Sequence, residues 1–498
     1  MGYLMSVDLG TSSSRVIIFD TDGCAIATGQ KEFDSHYPHN GWVEQDPEEI
    51  WSTTLLAGRT ALENANLKSS DILAMGITNQ RETTVLWDAI SGVPEYPAIV
   101  WQDRRTAEYC ELLRSSGKEA LVSDITGLLV DPYFSSTKIN WILHSDPCRS
   151  SDIMERAVKG QLKFGTLDSY LIWRFTNTAS HKTDASNASR TQLFDIRRQC
   201  WSNELLDLFD IPEQLMPEVC DSAADFGCCS AEWFGSDIPI MGVAGDQQAA
   251  LIGQACLKPG MTKATYGTGC FVITNTGGDL VRSGQRLLST VAYRINGVPT
   301  YAIEGSIFVA GVAIRWLRDQ LGLIEDVAET LKAAESCNGD TGGVYLIPAF
   351  TGLGAPHWKP DARGMLCGLS LETSREQIIT AALQSVAFQT DELLKAMAED
   401  GAVVTCLRID GGMVVNDWMC QFLADILNVD VERPVCIETT ALGAAMLAGV
   451  GLGLFADLDT AARNWRVEKG FSPALDAARR RKYIGGWAES MRSLTGGL

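Results

Sequence analysis

The sequence is poor in histidine, with five among 498 residues, and these form no HExxH pair and no triad-like group. Zinc-hydrolase and serine-hydrolase chemistry are therefore disfavoured. A Walker A sequence is also missing, as are the HRD and DFG motifs, which excludes the P-loop and protein-kinase mechanisms of phosphoryl transfer. The fourteen cysteines include no CxxC pair, so they predict reduced thiols rather than a disulfide framework.

Positive charge is scarce as well. The formal net charge is −21 at pH 7, which argues against binding to a nucleic-acid backbone. No apolar run reaches the length of a transmembrane helix, and no signal peptide is recognisable. The N-terminus formally fits a myristoylation pattern, but Ser6 falls within the first expected core strand. We therefore expect a soluble, cytoplasmic protein that neither binds nucleic acid nor inserts stably into a membrane.

The composition is that of a globular protein, with 46% hydrophobic and 21% charged residues. A chain of 498 residues is too long for one ordinary core, so two domains are expected. Strand-like runs alternate with helical ones, which predicts two α/β domains with a cleft between them. We place the boundary after Gly245, which gives domains of residues 1–245 and 246–498.

Local end signals predict several helices. Asp46 followed by Pro47 is an N-cap with proline in the first turn. Ser374 to Gln377 is a capping box that opens a helix through about Met397. Residues 439–451 are mostly small and predict a helix that packs closely, near the nucleotide if one binds. Residues 184–191 are polar and predict a loop.

Two strand-like runs near the N-terminus, residues 3–9 and 15–20, flank a turn of small and hydroxyl-bearing residues, Gly10 to Ser14. Such a turn presents backbone N–H groups and hydroxyls to an anion, as phosphate-binding turns do. Asp8, directly before the turn, is placed to hold a hydrated Mg²⁺. The alternative is an ordinary hairpin with a flexible tip.

The same pattern returns in the second half. An apolar strand, residues 240–245, ends at Asp246, and a later hairpin carries the turn Gly267-Thr268-Gly269. Two such turns predict a duplicated architecture in which the phosphate turns face each other. Asp246 is placed to accept a proton from a substrate hydroxyl. A third glycine site, Gly411-Gly412, ends another strand and would let a nucleotide approach the backbone closely.

Between these turns, an apolar run at residues 75–79 leads to adjacent Arg81 and Glu82. Neighbours in sequence share no helix face and point to opposite faces of a strand, so we expect a strand end that opens into a loop. There a guanidinium can donate to, and a carboxylate accept from, the hydroxyls of a small polyol. A surface ion pair is the alternative. Trp101 also ends an apolar run, and it is either a pocket wall or a core aromatic.

Longer segments carry a resemblance to a known family. They are GITNQRETT (residues 76–84), Tyr133-Phe134, Asn187 to Thr191, GDQQAA (245–250), YGTGCF (266–271) and PAFTGLGAPHW (348–358). With these segments the sequence resembles, essentially from end to end, the FGGY family of carbohydrate kinases, and within it the members that phosphorylate glycerol. The resemblance implies two duplicated α/β domains of the actin/Hsp70/sugar-kinase (ribonuclease H-like) fold, with the ligands in the cleft between them.

Carried over residue by residue, the resemblance implies ATP-dependent phosphorylation of glycerol to sn-glycerol 3-phosphate, with Mg²⁺ as cofactor and Asp246 as general base. The implied glycerol site consists of Arg81, Glu82, Trp101, Tyr133, Asp246, Gln247 and Phe271. The implied nucleotide site consists of Thr11, Ser12, Ser13, Arg15, Thr268, Gly311, Gly412 and Asn416. The implied Mg²⁺ ligands are Asp8 and Asp246.

Four positions depart from the family pattern. Leu9 stands where glutamine is frequent in the first phosphate turn, and Arg315 stands where glutamine is frequent near the nucleotide. Asp237 replaces an arginine that some relatives use for inhibition by fructose 1,6-bisphosphate, and Glu232 stands where others have a regulatory phosphorylated histidine. We therefore expect both controls to be absent. A homodimer or homotetramer is implied by the family alone.

Three alternatives remain open. A related kinase for another polyol or a ketose would need a wider pocket than Trp101 and Phe271 leave. An actin-like or Hsp70-like ATPase would turn over ATP without a polyol, and it leaves the Arg81-Glu82 pair unexplained. A catalytically silent regulator on the same scaffold would be expected to lose Asp246 or the phosphate turns, and neither is lost.

Overall fold

The fold is given by a computed structural model that describes residues 2–145, 150–359 and 361–496. In chain order, the strands are β1 (Tyr3–Leu9), β2 (Ser13–Phe19), β3 (Ala25–Glu32), β4 (Glu44–Gln45), β5 (Ile72–Asn79), β6 (Val85–Asp88), β7 (Ala98–Ile99), β8 (Leu162–Gly165), β9 (Lys182–Asp184), β10 (Phe194–Asp195), β11 (Cys200–Trp201), β12 (Glu218–Cys220), β13 (Cys228–Cys229), β14 (Ile238–Gly245), β15 (Met261–Tyr266), β16 (Cys270–Gly277), β17 (Leu288–Ile295), β18 (Val298–Ile307), β19 (Tyr345–Ile347), β20 (Met365–Cys367), β21 (Cys406–Asp410), β22 (Val431–Pro434) and β23 (Val467–Phe471).

The α-helices are α1 (Pro47–Ala65), α2 (Ala107–Ser115), α3 (Glu119–Thr126), α4 (Ser135–His144), α5 (Ser150–Val158), α6 (Leu167–Phe175), α7 (Ala185–Ala188), α8 (Asn203–Leu208), α9 (Ala231–Phe234), α10 (Asp246–Gly253), α11 (Gly311–Asp319), α12 (Glu329–Ser336), α13 (Arg375–Glu399), α14 (Asp417–Leu427), α15 (Thr439–Gly451), α16 (Leu458–Ala461) and α17 (Ala477–Thr495). Short 3₁₀ helices lie at Ser69–Asp71, Glu213–Leu215, Gly412–Val415 and Ala462–Asn464.

Two large sheets are built on one plan. The first has the strand order β13-β14-β5-β1-β2-β3, and the second has the order β17-β18-β16-β15-β21-β22-β23. In each sheet, the strand that precedes a hydroxyl-bearing turn (β1 or β15) pairs antiparallel with the strand after the turn and parallel with a later strand (β5 or β21). This repetition confirms the duplicated α/β architecture predicted from the sequence.

The two turns are tight hairpin connections. In the first, Leu9 pairs with Ser14, and the Gly10 N–H donates to the Ser13 carbonyl at 3.0 Å. In the second, Tyr266 pairs with Cys270, and the Gly267 N–H donates to the Gly269 carbonyl at 2.9 Å. A Cβ atom at Gly269 would overlap the Ile307 carbonyl oxygen, so the second tip requires glycine there, and each tip carries an exposed hydroxyl residue, Ser12 or Thr268.

The predicted site segments share the carboxyl edges of the two sheets. In the first sheet, Asn79 is the last residue of β5 and pairs with Leu9 of β1 and Gly245 of β14. The chain therefore leaves this edge towards the first turn, towards Arg81 and towards α10. In the second sheet, Thr265 pairs with Asp410, so the second turn and the glycines after β21 leave the sheet together. In parallel α/β sheets, ligands bind outside this edge.

The helix ends follow their sequence signals. Asp46 caps α1, and its carboxylate accepts from the Glu48 N–H at 2.9 Å. Ser374 and Gln377 form the predicted capping box, which opens α13. The small-residue helix α15 has the predicted bounds, but its backbone packs against the first sheet and α10, where glycines allow close approach. A Cβ atom at Gly76 would overlap the Ala444 carbonyl, and one at Gly443 would overlap the Ala249 carbonyl.

The prediction of a loop at residues 184–191 is wrong. Asp184 caps the short helix α7, and the whole segment is buried. Its polarity misleads because each polar side chain of the segment has at least one hydrogen-bond partner inside the fold. The Asp184 carboxylate accepts from the N–H groups of Ser186 and Asn187 and from the Ser222 hydroxyl. Buried polar groups are tolerated when they are hydrogen-bonded in this way.

Within the described ranges, none of the helices combines the length and apolar character needed to cross a bilayer.

The close contact between α15 and α10 predicts that Gly443→Ala lowers the free energy of unfolding by about 1–3 kcal/mol, as overpacking does. The matched control is Gly485→Ala in α17, because a Cβ atom there meets nothing within 4 Å. Removing an exposed helical glycine stabilises by up to about 1 kcal/mol. Thermal and urea denaturation of both variants would test this, and a Gly443→Ala protein as stable as wild type would contradict the packing described.

Candidate active site

The backbone turns sharply at Arg81 and Glu82. After β5 ends at Asn79, the Thr83 N–H donates to the Arg81 carbonyl, and Glu82 takes the left-handed φ of +47°. This conformation is costly for a residue with a Cβ atom, and such residues cluster at functional sites. Both side chains are turned inwards, since Arg81 is 2% and Glu82 1% exposed. Their burial excludes the surface ion pair and agrees with the predicted loop after a strand end.

Two further buried residues complete the charges around this pair. Glu304, from β18 in the second sheet, accepts from Arg81 Nη1 and Nη2 and from Arg190 Nη2, the last at 3.0 Å. Arg190, two residues after the end of α7, also donates from Nε to Glu82 Oε1 at 2.7 Å. We call Arg81, Glu82, Arg190 and Glu304 the arginine–glutamate cluster. It joins the edges of both sheets.

Sequence reasoning missed the last two members of this cluster as site residues. Arg190 lies within a segment that carries the family resemblance, so the signal was present without a role attached to it. Glu304 lies in the middle of a strand, and no local pattern marks it. Only the pairing of β18 beside β16 places it opposite Arg81.

Electrostatics keep Glu304 ionised. Burial alone would raise the pKa of this carboxyl, but Arg190 and Arg81 lower it to about 2. For Glu82, burial dominates and raises the pKa, although Arg81 and Arg190 oppose the shift. Burial raises the pKa of the Tyr133 hydroxyl too, so this hydroxyl is neutral.

The cluster leaves unused hydrogen-bond donors. Within the described residues, the buried atoms Arg81 Nε and Arg190 Nη1 have no hydrogen-bond partner. Arg81 Nε lies 3.1 Å from Asp246 Oδ1, so the unused donor lies beside a carboxylate. Buried donors without partners are rare and costly in folded proteins. A ligand hydroxyl at this position would supply the missing acceptor and could itself donate to Asp246.

Asp246 is the first residue of α10, directly after β14. Its Oδ1 accepts from the Gln247 backbone N–H at 2.7 Å, and its Oδ2 accepts from Gln247 Nε2 at 3.1 Å. The amide oxygen of Gln247 accepts from the buried Lys263 ammonium. The predicted substrate residue Gln247 therefore contacts Asp246 and Lys263 with its polar atoms, while the Asp246 side chain remains 30% exposed.

Three half-buried aromatic rings stand beside the cluster. The ring of Trp101 makes edge contacts with Tyr133 at 5.7 Å and with Phe271 at 6.3 Å between centroids. The Tyr133 hydroxyl accepts from Arg81 Nη2 at 3.3 Å. Three residues that the resemblance assigns to the glycerol site thus come together from separate segments of the chain. We call Trp101 and Phe271 the aromatic wall.

The first turn and Asp8 adjoin this wall. Trp101 Nε1 donates to Thr11 Oγ1 at 3.1 Å, while Ser12 is exposed at the tip of the turn and the Ser13 hydroxyl accepts from Gln30. Asp8 is buried and pairs with Arg15 at 2.8 Å. Burial raises the pKa of Asp8, Arg15 opposes the shift, and the nearby charges of Asp246 and Glu438 add to it.

Leu9 is fully buried in the apolar core of the first sheet. The side chain at this position therefore contributes packing to the sheet rather than a polar group to the turn. This accounts physically for a leucine there.

The second turn lies against two glycine sites. A Cβ atom at Gly311 would lie 2.6 Å from the Gly267 carbonyl oxygen and 3.5 Å from Met413, so the start of α11 touches both the turn and the 3₁₀ helix that begins at Gly412. Gly411 has a φ of +96°, which favours glycine. Asn416 caps α14, and its Nδ2 donates to Thr330 at 3.1 Å.

Arg315, which is not among the implied nucleotide residues, lies against the second turn. Its Nη2 donates to Thr268 Oγ1 at 3.2 Å, and the side chain is otherwise exposed. It also lines an open cavity of about 710 Å³ on the outer face of α11, together with Trp316 and Phe350. None of the four residues of the arginine–glutamate cluster lines this cavity, and we assign the chemistry to the cluster.

Comparison with known families agrees with this arrangement. The model of the FGGY family of carbohydrate kinases, N-terminal domain, matches residues 3–253, and that of the C-terminal domain matches residues 262–452. The chain therefore belongs to the FGGY family of carbohydrate kinases.

Among the individual relatives, those with high identity over nearly the whole chain are glycerol kinases. The chain is 55% identical to the glycerol kinase of Ectopseudomonas mendocina over 491 residues, which cover 98% of both chains. It is 56% identical to the glycerol kinase of Alcanivorax borkumensis over 492 residues, 99% of this chain and 98% of that one. The crystal structure of Plasmodium falciparum glycerol kinase with ADP superposes with a TM-score of 0.92 at 33% identity and covers 99% of this chain and 98% of its own. A xylulose kinase from Lactobacillus acidophilus shares the fold, with a TM-score of 0.90 at 20% identity and coverage of 100% and 99%.

The charge state of Glu304 predicts a pH-dependent stability difference. Its pKa falls from an ordinary 4.5 to about 2 on folding, so its contribution is present above pH 4.5 and is lost as the pH falls towards 2. Glu304→Gln should lower the free energy of unfolding by about 3–5 kcal/mol at neutral pH, because two buried arginines lose a counter-charge. The difference from wild type should shrink below pH 4.5.

Urea denaturation of wild type and Glu304→Gln at several pH values would measure this difference. Glu335→Gln, at an exposed position of α12, is the matched control and should leave the stability unchanged at every pH. A Glu304→Gln effect that is independent of pH would show that the pairing does not depend on the charge of Glu304.

Proposed function

We propose that this chain catalyses the ATP-dependent phosphorylation of glycerol to sn-glycerol 3-phosphate. Membership of the FGGY family and the glycerol kinases at 55% and 56% identity over nearly the whole chain support this activity. The single structural observation that carries it is the unused buried donor of Arg81 beside the Asp246 carboxylate, under an aromatic wall. A small polyol fits these three features.

Glycerol binds at the floor of the cleft. Arg81 donates to a glycerol hydroxyl, Glu82 accepts from another, and the Tyr133 hydroxyl adds a hydrogen bond. Trp101 and Phe271 cover the carbon chain and exclude water, which limits transfer of the phosphoryl group to water. Gln247 contributes at the same position beside the reacting hydroxyl.

Asp246 acts as the general base. Its partly exposed carboxylate lies at the start of α10, within reach of a hydroxyl held by Arg81. It accepts the proton of the attacking hydroxyl as the oxygen forms its bond to the γ-phosphorus of ATP. The leaving ADP keeps the electrons of the broken P–O bond.

ATP lies across the two turns, which donate backbone N–H groups and hydroxyls to its phosphates. The residues of this site are Thr11, Ser12, Ser13, Arg15, Thr268, Gly311, Gly412 and Asn416. Arg15 contributes by holding Asp8, to which it is already paired at 2.8 Å. The glycines allow the nucleotide to approach the backbone closely.

The donor set near Asp8 fits a hydrated Mg²⁺. Within the described residues, no group of three or more His, Cys, Asp or Glu side chains could hold a metal by itself. Mg²⁺ in phosphoryl transfer typically has one or two carboxylate ligands and takes the rest from phosphates and water. Asp8 and Asp246, which interact electrostatically, would supply those carboxylates. When bound, Mg²⁺ neutralises charge on the β- and γ-phosphates.

We also propose where the two domains meet, how the chain assembles and in which compartment it acts. The boundary between residues 1–245 and 246–498 falls where β14 gives way to α10. Closure of the two domains would bring the γ-phosphate into line with the hydroxyl. We propose a homodimer or homotetramer in the cytoplasm, from the family alone.

A substrate panel tests the activity directly. ADP formation from Mg-ATP should be fast with glycerol and slow with glycerone, xylulose, erythritol or no acceptor. Asp246→Asn should lower turnover on the order of 10²- to 10⁴-fold, because it removes the general base. Asp207→Asn, at an exposed position of α8, is the control and should match wild type.

Preference for a longer sugar in this panel would identify a related kinase instead. ATP hydrolysis that is independent of any acceptor would identify an ATPase of the actin or Hsp70 type.

The aromatic wall predicts separable effects on the two substrates. Phe271→Ala should raise the KM for glycerol on the order of 10-fold and increase ATP hydrolysis without transfer, because it opens the wall to water. Trp101→Phe keeps a ring but loses the hydrogen bond to Thr11, so it should raise the KM for ATP more than that for glycerol. Tyr37→Ala, which removes an exposed aromatic ring, is the control and should leave both KM values unchanged. Equal effects of both variants on both substrates would refute the division of roles.

A further inference from the structure

Lys263 is a fully buried cation that the proposed mechanism does not use. It lies on β15, and its ammonium donates to Gln247 Oε1 and to Thr265 Oγ1, the second at 3.0 Å. Both of these acceptors are neutral. Burial lowers the pKa of Lys263, while the charges of Asp410, Asp246 and Glu304 oppose the shift from a distance. Burying an amino group that has only neutral hydrogen-bond partners is costly, so a function is expected to retain Lys263.

The first consequence concerns the Gln247 amide. Its oxygen faces the Lys263 ammonium, which leaves its NH₂ group to donate to Asp246 Oδ2 at 3.1 Å. In the opposite orientation, the NH₂ group would face the ammonium and the oxygen would face the carboxylate. The NH₂ group and the ammonium are both donors, and the amide oxygen and the carboxylate are both acceptors, so neither pair could form a hydrogen bond. Lys263 therefore determines which way this amide points.

The second consequence concerns the Asp246 carboxylate. Oδ1 accepts from the Gln247 backbone N–H at 2.7 Å, and Oδ2 accepts from the Gln247 side chain. Both oxygens are thus held by one residue, which fixes the plane of the carboxylate. A general base must lie within hydrogen-bond reach of the proton it takes, so this plane matters for transfer.

The third consequence concerns alignment of the two substrates. Thr265 immediately precedes Tyr266, the last residue of β15 before the second turn. Lys263 itself lies on the strand that leads to this turn, and its ammonium contacts Gln247 in the first turn of α10. It joins the group that activates the acceptor to the strand that positions the donor phosphates.

We propose that Lys263 is a positioning residue for phosphoryl transfer, whose ammonium fixes the Gln247 amide and thereby holds the Asp246 carboxylate towards the substrate hydroxyl. The proposal rests on the proposed phosphorylation of glycerol. It assigns to Lys263 an effect on turnover through a neighbour, without contact with either substrate.

The test compares Lys263→Met, which keeps the length of the apolar stem, with Gln247→Leu and the double variant. Lys263→Met should lower kcat on the order of 10- to 100-fold, as displaced catalytic groups do, with the KM for ATP nearly unchanged. Because Lys263 acts through Gln247, the double variant should be no slower than Gln247→Leu alone. Lys482→Met, at an exposed position of α17, is the control.

The proposal would be overturned if the fold-losses of kcat in Lys263→Met and Gln247→Leu multiplied in the double variant. A kcat of Lys263→Met equal to wild type would also overturn it. If Lys263→Met fails to fold, Gln247→Glu replaces it, because a carboxylate keeps the pair with Lys263 but cannot donate to Asp246. This variant should melt at the wild-type temperature and lose kcat on the order of 10- to 100-fold with the KM for glycerol nearly unchanged, which separates loss of the contact with Asp246 from loss of a contact with glycerol. Wild-type kcat in Gln247→Glu would likewise overturn the proposal.

The activity of the wild-type protein distinguishes failure of the proposed function from failure of the role proposed for Lys263. If wild type forms no glycerol 3-phosphate, the proposed function itself is wrong. If wild type is active and the variants are equally active, only the role of Lys263 is wrong.

Discussion

The structure depends on two buried arginines and two buried glutamates whose charges balance across the junction of the two sheets. Arg81 and Glu82 follow a strand of the first sheet, and Glu304 lies on a strand of the second. Removing such groups from water costs several kcal/mol per ion unless partner charges and hydrogen bonds compensate. Each sheet therefore supplies the counter-charges that the other needs, and this requirement fixes the floor of the cleft.

The buried charges also position the proposed active-site groups. Arg81 is held by Glu304 and approaches Asp246, yet its Nε keeps a hydrogen-bond donor without a partner in the described residues. The aromatic wall limits access of water, and the two hydroxyl-bearing turns stand at the same edges of the sheets. The charged groups of this floor are in place before any ligand binds, and such preorganisation is a main requirement of the phosphoryl transfer that we propose.

Features whose signals lie within a few residues were predictable from the sequence. The two hairpin turns, the Asp46 cap and the bounds of α15 follow from local chemistry, and so does the sharp loop at Arg81. Glu304 and Lys263 were not predictable, because a charged residue within a strand gains its partners only from long-range strand pairing. Residues 184–191 were misjudged in part for the same reason, since Asp184 and Arg190 also have hydrogen-bond partners that are distant in sequence, Ser222 and Glu82. The ligand roles of the predicted site residues stay predictions.

The most direct measurement of the central claim is a crystal structure of the protein with glycerol and ADP. The account predicts glycerol beneath Trp101 and Phe271, with the reacting hydroxyl accepting from Arg81 Nε within hydrogen-bond distance of Asp246, and another hydroxyl donating to Glu82. Glycerol bound elsewhere, or an Arg81 Nε that remains without a partner in the complex, would contradict the claim that the arginine–glutamate cluster forms the polyol site.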